Sequence, residues 1–171
     1  MLAALKARFN GADDFCLREL TAGGQVLYAL FLDGMTSGSD ISDFVVRPLM
    51  ENLRPGTPEE LYAQAQHGAV WCAVCEEADS AEAAADKLTH GYCVVVFPGL
   101  AKALCFEAKS GTRRGPSAPE SENTVKGAKD AFTETIRINT ALVRRHLRTS
   151  ELRFVSKTVG RRTQTNVTVC S

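Results

Sequence analysis

The chain has 171 residues, 44% of them hydrophobic and 23% charged, which is the balance of a folded globular protein and excludes a disordered one. Its longest apolar run, residues 92–97, falls far short of the roughly 18–20 residues that cross a bilayer, so it predicts a buried strand. The net charge is zero, but the charges are unevenly distributed: residues 1–110 hold 8 basic and 15 acidic side chains, and residues 111–171 hold 12 basic and 5 acidic ones. The two parts could bind each other, or the basic part could bind phosphate or anionic lipid. Alternatively, the charged faces of both parts could simply be solvated.

The start of the chain predicts a short helix followed by a β-hairpin. Residues 1–9 have a helical pattern, and residues 15–20 and 25–32 have the composition of strands. Gly23-Gly24 between these strands is a typical two-residue hairpin turn.

Two further helices are predicted next. Apolar residues at helical spacing place the first over residues 39–53, and Pro48 must kink or interrupt it because proline has no N–H for the preceding turn. The second covers residues 57–66, where Thr57 is the N-cap and Glu60 completes a capping box.

The remaining elements of the first part alternate between strand and helix. They are a strand at residues 70–75, an alanine-rich helix at 80–88, and two strands at 92–97 and 102–108. Residues 1–108 are therefore predicted to form a mixed α/β subdomain with about five strands.

A polar stretch separates this subdomain from the end of the chain. Residues 109–125 are rich in Gly, Pro and Ser and predict a linker. A long helix is predicted over residues 128–148, and two antiparallel strands over 152–158 and 163–169 follow it. One helix and two strands do not close a core alone, so residues 126–171 either pack on the first subdomain or begin a second, truncated α/β subdomain. Exposed strand edges would invite self-association.

The six cysteines are predicted to be structural. Five of them lie in predicted strands, where they indicate small buried apolar side chains in a reducing compartment, and this favours a cytoplasmic location. Cys72 and Cys75 have the spacing of a redox motif, but they fall in a predicted strand, where positions three apart face opposite sides. Two buried structural thiols are therefore favoured over a redox site.

The other chemistry-bearing side chains predict no catalytic residue, no metal site and no cofactor. The histidines are interpreted as helix C-terminal caps because each lies near the end of a predicted helix. They are His67, His90 and His146. The acidic pairs Asp13-Asp14 and Glu76-Glu77 lack the spacing of a calcium loop and are interpreted as surface acids.

The helix predicted over residues 128–148 has an apolar face and a basic face. The apolar stripe consists of Phe132, Ile136, Asn139 and Val143. The basic stripe consists of Arg137, Arg144 and Arg148. These arginines could pair with the acidic first subdomain, bind anionic lipid headgroups or contact nucleic-acid phosphate, and a solvated helix packed by its apolar face is the simplest alternative. No nucleic-acid partner is expected, because interleaved aromatic residues and a recognised motif are lacking.

Asn139 lies on the apolar face of this helix and needs a hydrogen-bonding partner. An unpaired buried amide would cost ~1–3 kcal/mol. We expect Asn139 to tie the helix to a strand or to the linker.

A series of short motifs runs through the last third of the chain. It resembles the soluble N-terminal domain of the A subunits of GerA-family spore germinant receptors. In that family four motifs follow one another: Glu-Pro-x-x-Glu, Gly-Pro-Arg-(Asp/Glu)-Gly-Phe-x-Glu, Asn-x-x-Leu-Ile-Arg-Arg-Arg and Gly-x-x-(Ser/Thr)-x-Thr. The matching residues are Pro119, Glu120, Glu122, Gly127, Phe132, Glu134, Asn139, Leu142, Arg144, Arg145, Gly160, Thr163 and Thr165. The chain departs from this pattern at Ala128 (for Pro), Ala131 (for Gly) and His146 (for the third Arg).

The resemblance implies a two-part domain on the cytoplasmic side of the spore inner membrane. Such a domain would sense nutrients or transmit their signal rather than catalyse a reaction. Its partners would be other receptor subunits and the membrane-spanning part of the same subunit, and whether nutrient germinants bind it stays open. The polar linker would let the two parts change orientation, and Glu120, Glu122 and Glu134 are expected to pair with arginines near the junction.

A different class of function competes with this interpretation. The chain could be a small cytosolic α/β enzyme or cofactor-binding domain that uses Cys75 or the histidines. Several apolar segments of about 20 residues downstream of Ser171 in the reading frame would favour the receptor.

Overall fold

A five-stranded antiparallel sheet is the centre of the first part of the chain in the computed structural model, which describes residues 1–111 and 131–171. The spatial order of the strands is β1-β2-β4-β5-β3. Their bounds are Phe15–Ala22 for β1, Gln25–Leu32 for β2, Cys75–Ala78 for β3, Tyr92–Val96 for β4 and Ala103–Glu107 for β5. The predicted mixed α/β class and the predicted number of strands, five, are confirmed.

Helices cover both faces of this sheet. One face packs on α1 (Leu2–Arg8) and α5 (Ala81–Thr89), and the other packs on the helical segments between residues 38 and 69. Strand β4 is buried along its whole length, as expected for an apolar run that faces a core on both sides.

The predicted hairpin and capping box are both confirmed. Strands β1 and β2 pair from Phe15 opposite Leu32 to Ala22 opposite Gln25, and Gly23 and Gly24 form the turn with positive φ angles. Helix α4 (Pro58–Gln64) begins with the reciprocal Thr57–Glu60 hydrogen bonds of a capping box.

Of the two predicted outcomes for Pro48, a kink or an interruption of its helix, the interruption is wrong. Helix α2 (Gly38–Asp40) passes through a π-helical segment, Ile41–Val46, directly into α3 (Arg47–Asn52). Because Pro48 has no N–H to donate to the carbonyl of Phe44, that carbonyl accepts a hydrogen bond from the Trp71 N–H at 3.2 Å instead. The wide π turn thus accommodates the proline without a break.

The strand predicted at residues 70–75 is wrong. Residues 70–74 are irregular, and their hydrogen bonds go to two different elements. The Trp71 N–H bonds to Phe44 in the helical segment, and the Cys72 thiol donates to the carbonyl of Glu107 in β5 at 3.2 Å. The helical backbone before them ends at His67 and Gly68, whose backbone angles are not helical. The strand begins only at Cys75, so Cys72 and Cys75 do not share a strand.

The end of the chain folds into one helix and one hairpin. Helix α6 spans Ile136–His146, and β6 (Phe154–Val159) pairs with β7 (Thr165–Cys170) in a separate two-stranded sheet. The helix is shorter than the predicted 128–148: residues 131–135 are not helical, and 128–130 lie outside the described residues. Within residues 1–111 and 131–171, no helix has the length and apolar character needed to cross a bilayer.

Most of the predicted linker, 109–125, also lies outside the described residues. The division of the chain into residues 1–108 and 126–171 stays a prediction.

Candidate functional site

One face of α6 lies against the loops that flank β1 and β2. The residues on this face are Arg137, Ala141 and Arg144, which follow the i, i+4, i+7 spacing of one helical stripe. They contact Asp33, Gly34 and Asp14, respectively. The helix therefore brings basic side chains of the last part of the chain onto acidic side chains of the first part.

Arg144 forms a buried ion pair with Asp14, which we call the inner ion pair. Its Nε and Nη2 atoms donate to the two carboxylate oxygens at 2.7 and 2.9 Å, and the two side chains are only 1% and 10% exposed. The guanidinium also donates to the carbonyls of Thr149 and Leu152 and lies 5.1 Å from the ring centroid of Phe154. Burial raises the pKa of Asp14, and Arg144 partly opposes this rise.

Arg137 forms a second, exposed ion pair with Asp33, which we call the outer ion pair. The Arg137 Nε donates to both carboxylate oxygens at 2.9 and 3.0 Å, and Nη2 donates to one of them. The side chains are 59% and 41% exposed. The hydrogen bonds that Arg137 donates to the Asp33 carboxylate raise the pKa of Arg137 above its usual value, so the guanidinium is charged at any physiological pH.

The start of β6 is joined to the loop before β1 by backbone hydrogen bonds. The Asp13 N–H donates to the carbonyl of Phe154 at 2.9 Å, and the Ser156 N–H donates to the Asp13 carboxylate at 2.6 Å. Arg153 donates to the carbonyls of Arg8 and Asn10 at 2.6 and 2.9 Å. The first and last parts of the chain thus share one polar interface.

A cleft of about 430 Å³ lies between these elements. Its walls carry the three carboxylates of Asp13, Asp14 and Asp33 and hydroxyl and amide side chains of α6 and the β6–β7 hairpin. A smaller cleft of about 200 Å³ lies between α6 and the hairpin and is more apolar, with Phe132 and Val143 in its lining. Both clefts are open grooves whose lining includes Ile136, Thr140, Phe154 and Thr168.

Asn139 binds the chain that leads into its own helix, not a strand or the linker as we expected. Its Oδ1 accepts from the Thr133 N–H and its Nδ2 donates to the Thr133 carbonyl, both at 2.7 Å. The side-chain amide therefore pairs with both backbone groups of one residue, as a neighbouring strand would. This fixes residues 133–135 to the helix.

The other residues of the family motif are spread over the end of the chain. Phe132 is 69% exposed, Glu134 is exposed and makes no ion pair within the described residues, and Arg145 is half-buried in the last turn of α6. Arg148 lies beyond the helix and donates to the carbonyl of Arg145. Gly160, Thr163 and Thr165 form the hairpin turn and the start of β7. Pro119, Glu120, Glu122 and Gly127 lie outside the described residues.

The acidic partners in this interface were missed at the sequence level. The interpretation as a surface acid is wrong for Asp14, whose carboxylate is nearly buried. Asp13 is exposed, as predicted, and accepts a hydrogen bond from the Ser156 N–H. Their signal was present in the opposite charges of the two parts of the chain and in the arginine stripe of the helix.

The cysteines differ in how far they are buried. Of the five cysteines predicted to be buried, Cys93 and Cys105 are buried and Cys16, Cys72 and Cys75 are half-buried, so this prediction is partly right. Cys170, which lies outside the predicted strands, is exposed. Burial raises the pKa of Cys75 to about 11, so its nucleophilic thiolate is scarce at neutral pH. Within the described residues, no group of three or more His, Cys, Asp or Glu side chains could hold a metal ion.

The sequence and the fold both resemble proteins of one family. The model of the family described as "Bacillus/Clostridium GerA spore germination protein" matches residues 3–171. The chain is 30% identical over 159 residues to the uncharacterized membrane protein YfkQ of Bacillus subtilis, and covers 31% of that protein with 92% of its own length. It is 24% identical over 180 residues to the spore germination protein GerLA of Bacillus cereus, and covers 35% of it with 99% of its own length.

A solved structure shares the fold. The N-terminal domain of the A subunit of the Bacillus megaterium spore germinant receptor GerK3 matches with a TM-score of 0.69 and 23% identity, over 98% of this chain and 61% of that one. The chain spans about a third of the length of the curated relatives it matches. Since the family match extends over nearly every residue, the chain belongs to the GerA family of spore germination proteins.

Proposed function

We propose that this chain is a non-catalytic domain that transmits the signal for spore germination. The observation that carries the proposal is the family match over residues 3–171, and the fold shared with a germinant-receptor domain supports it. The domain would act on the cytoplasmic side of the spore inner membrane, next to the membrane-spanning part of a longer protein. Other receptor subunits would be its partners, and nutrient germinants and a second copy of the chain are further candidates.

The interface between the two parts of the chain supports transmission rather than catalysis. Its charged groups are engaged with each other: Arg144 with Asp14, and Arg137 with Asp33. Groups held in this way position backbone segments and are not available as acids, bases or nucleophiles. The competing enzyme hypothesis relied on Cys75 or the histidines. Cys75 has a raised pKa, and His90 caps α5 by bonding to the carbonyl of Asp86 at 2.8 Å.

Spores of the source bacterium test this proposal directly. The full-length gene would be replaced by a version that lacks residues 1–171, with the membrane-spanning part retained. We expect the altered protein to be present in the membrane fraction while the loss of optical density on nutrient addition is reduced or absent. An unchanged nutrient response, with every other germination gene intact, would contradict the proposal.

The location is tested separately. A green fluorescent protein and an alkaline phosphatase would each be fused to Met1 of the full-length protein. We expect fluorescence and no phosphatase activity, because phosphatase requires an oxidising compartment for its disulfides. The reverse pattern would place the domain on the other side of the membrane.

A further inference from the structure

The two ends of α6 are held to the first part of the chain by very different contacts. The inner ion pair holds the C-terminal end, and both of its side chains are almost completely buried. The outer ion pair holds the N-terminal end, and about half of each side chain is in solvent. About 10 Å of helix separates Arg137 from Arg144, because each residue adds about 1.5 Å.

The hydrogen bonds around the two ion pairs are equally uneven. Near the inner pair, Arg144 has further partners in Thr149 and Leu152, and Arg153 and Ser156 bond to the segment from Arg8 to Asp13. Near the outer pair, Gly34 packs on Ala141, which is a van der Waals contact and not a hydrogen bond. A buried charge that loses its partner is costly, whereas an exposed ion pair breaks at little cost.

Asn139 extends the loosely held end beyond the helix. Its two hydrogen bonds to Thr133 fix the residues before α6 to the first turn of the helix. Any movement of that turn therefore carries residues 133–135 with it. These residues adjoin Phe132 in the lining of the smaller cleft.

We propose that the outer ion pair opens and closes while the inner ion pair stays formed, so that the first turns of α6 and residues 133–135 loosen together, with transient opening of their hydrogen bonds, while Arg144 stays in place. Opening would widen the cleft that Asp33 and Arg137 line and would leave the start of β6 in place. The role of this movement in germination rests on the proposed function. The movement itself does not.

Amide hydrogen exchange of the 171-residue chain tests this inference. Arg137→Gln removes the outer pair. Arg148→Gln is the matched control, because Arg148 is exposed near the other end of the helix and, among the described residues, donates to the Arg145 carbonyl in its own helix end. We expect Arg137→Gln to speed exchange of the Asn139 to Ala141 amides about fivefold, which is the range of an exposed ion pair, and to leave the Ser156 amide unchanged. Asp33→Asn should give the same increase, and the double variant should add nothing further.

Salt supplies a second measurement that needs no substitution. Raising the salt concentration to 1 M should speed exchange of the same amides in the wild-type chain, because screening acts on exposed pairs and spares buried ones. Equal exchange in the Arg137→Gln and wild-type chains would overturn the inference. So would a uniform increase over α6 and β6, because the outer pair would then hold the whole interface and not one end of the helix.

Spores then separate this inference from the proposed function. If exchange changes as expected but full-length Arg137→Gln protein supports normal germination, the movement stands and its role in signalling fails. If exchange does not change, the movement fails, whatever the deletion of residues 1–171 does to germination.

Discussion

Gly34 packs directly on Ala141: a Cβ atom on residue 34 would come within 3.0 Å of the Ala141 Cβ and 3.3 Å of the Arg137 carbonyl oxygen. Gly34 also has a φ of +81°, which side chains rarely adopt. The contact lies midway along the helix stripe between the outer and the inner ion pair. Two small residues thus let α6 approach closely enough for both arginines to reach their carboxylates.

Gly34→Ala should therefore destabilise the protein more than a glycine substitution at an open site. Gly24→Ala is the matched control, because its φ is +77° and nothing lies within 4 Å of the added methyl group. Both changes cost about 1–2 kcal/mol for the left-handed backbone, and Gly34→Ala should cost about 1–3 kcal/mol more for the steric overlap. Urea unfolding measures both values, and equal losses would show that α6 does not approach as closely as described.

The inner ion pair should be strongly coupled. Asp14→Asn leaves a buried guanidinium without its counter-charge and should lower the free energy of unfolding by about 3–5 kcal/mol. Arg144→Met should cost less, because Asp14, whose pKa burial already raises, can become neutral by binding a proton. Urea denaturation of each variant at neutral pH gives these values.

The double variant decides whether the two side chains act as a pair. We expect Asp14→Asn combined with Arg144→Met to lose much less than the sum of the single losses, since neither partner is then left charged and buried. Arg148→Met controls for removal of an exposed arginine near the same helix end and should change stability by less than about 0.5 kcal/mol. Additive losses would mean that Asp14 and Arg144 contribute independently.

Local sequence signals were sufficient for most of the fold. The apolar run at β4, the Gly23-Gly24 turn and the Thr57–Glu60 box each specify structure through neighbours close in sequence. The prediction of a strand at residues 70–75 is wrong because the apolar composition of these residues suits both a strand and an irregular buried segment. Hydrogen bonds to distant residues such as Phe44 and Glu107 decided between these alternatives.

The sequence predicts the arginines of the candidate site but not the acids that pair with them. The arginine stripe of α6 can be read from spacing within one helix. Its partners, Asp14 and Asp33, lie more than 100 positions away, and no local pattern specifies which acids face which arginines. Opposite charges in the two parts of the chain indicated that they could meet, but burial of Asp14 depends on tertiary packing.

Asn139 should position residues 133–135 through both ends of its amide. Asn139→Asp keeps the oxygen that accepts from the Thr133 N–H but replaces the donor with an oxygen that faces the Thr133 carbonyl. We expect a loss of about 1–2 kcal/mol at neutral pH and faster exchange of the Thr133 amide. Thr140→Ala, which removes a hydroxyl bonded within the helix, is the neighbouring control. If the Thr133 amide exchanges at the same rate in both variants, Asn139 does not hold this segment.

Edge strand β3 carries two adjacent glutamates that face opposite sides of the sheet, and each accepts hydrogen bonds from a tyrosine and a lysine. On one side, the Glu77 carboxylate accepts from Tyr62, Gln66 and Lys102. These bonds, chiefly the one from Tyr62, hold the pKa of Glu77 below its usual range. Charged residues on a short edge strand also oppose pairing with other chains.

The lowered pKa of Glu77 gives a stability contribution with a defined sign. It is fully present above the pKa of an unfolded glutamate, about 4.3, and is lost as the pH falls through the lower folded value. Glu77→Gln should therefore be less stable than the wild type at pH 7, and the difference should shrink as the pH falls from about 5 to 3. Glu151→Gln, at an exposed glutamate without an ion pair among the described residues, is the control. Asp14, whose raised pKa has the opposite effect on the pH dependence of stability, is unchanged in all three proteins, so its contribution cancels when their stabilities are compared. If the stability difference between the wild type and Glu77→Gln did not narrow in acid, these hydrogen bonds would not favour the ionised carboxylate.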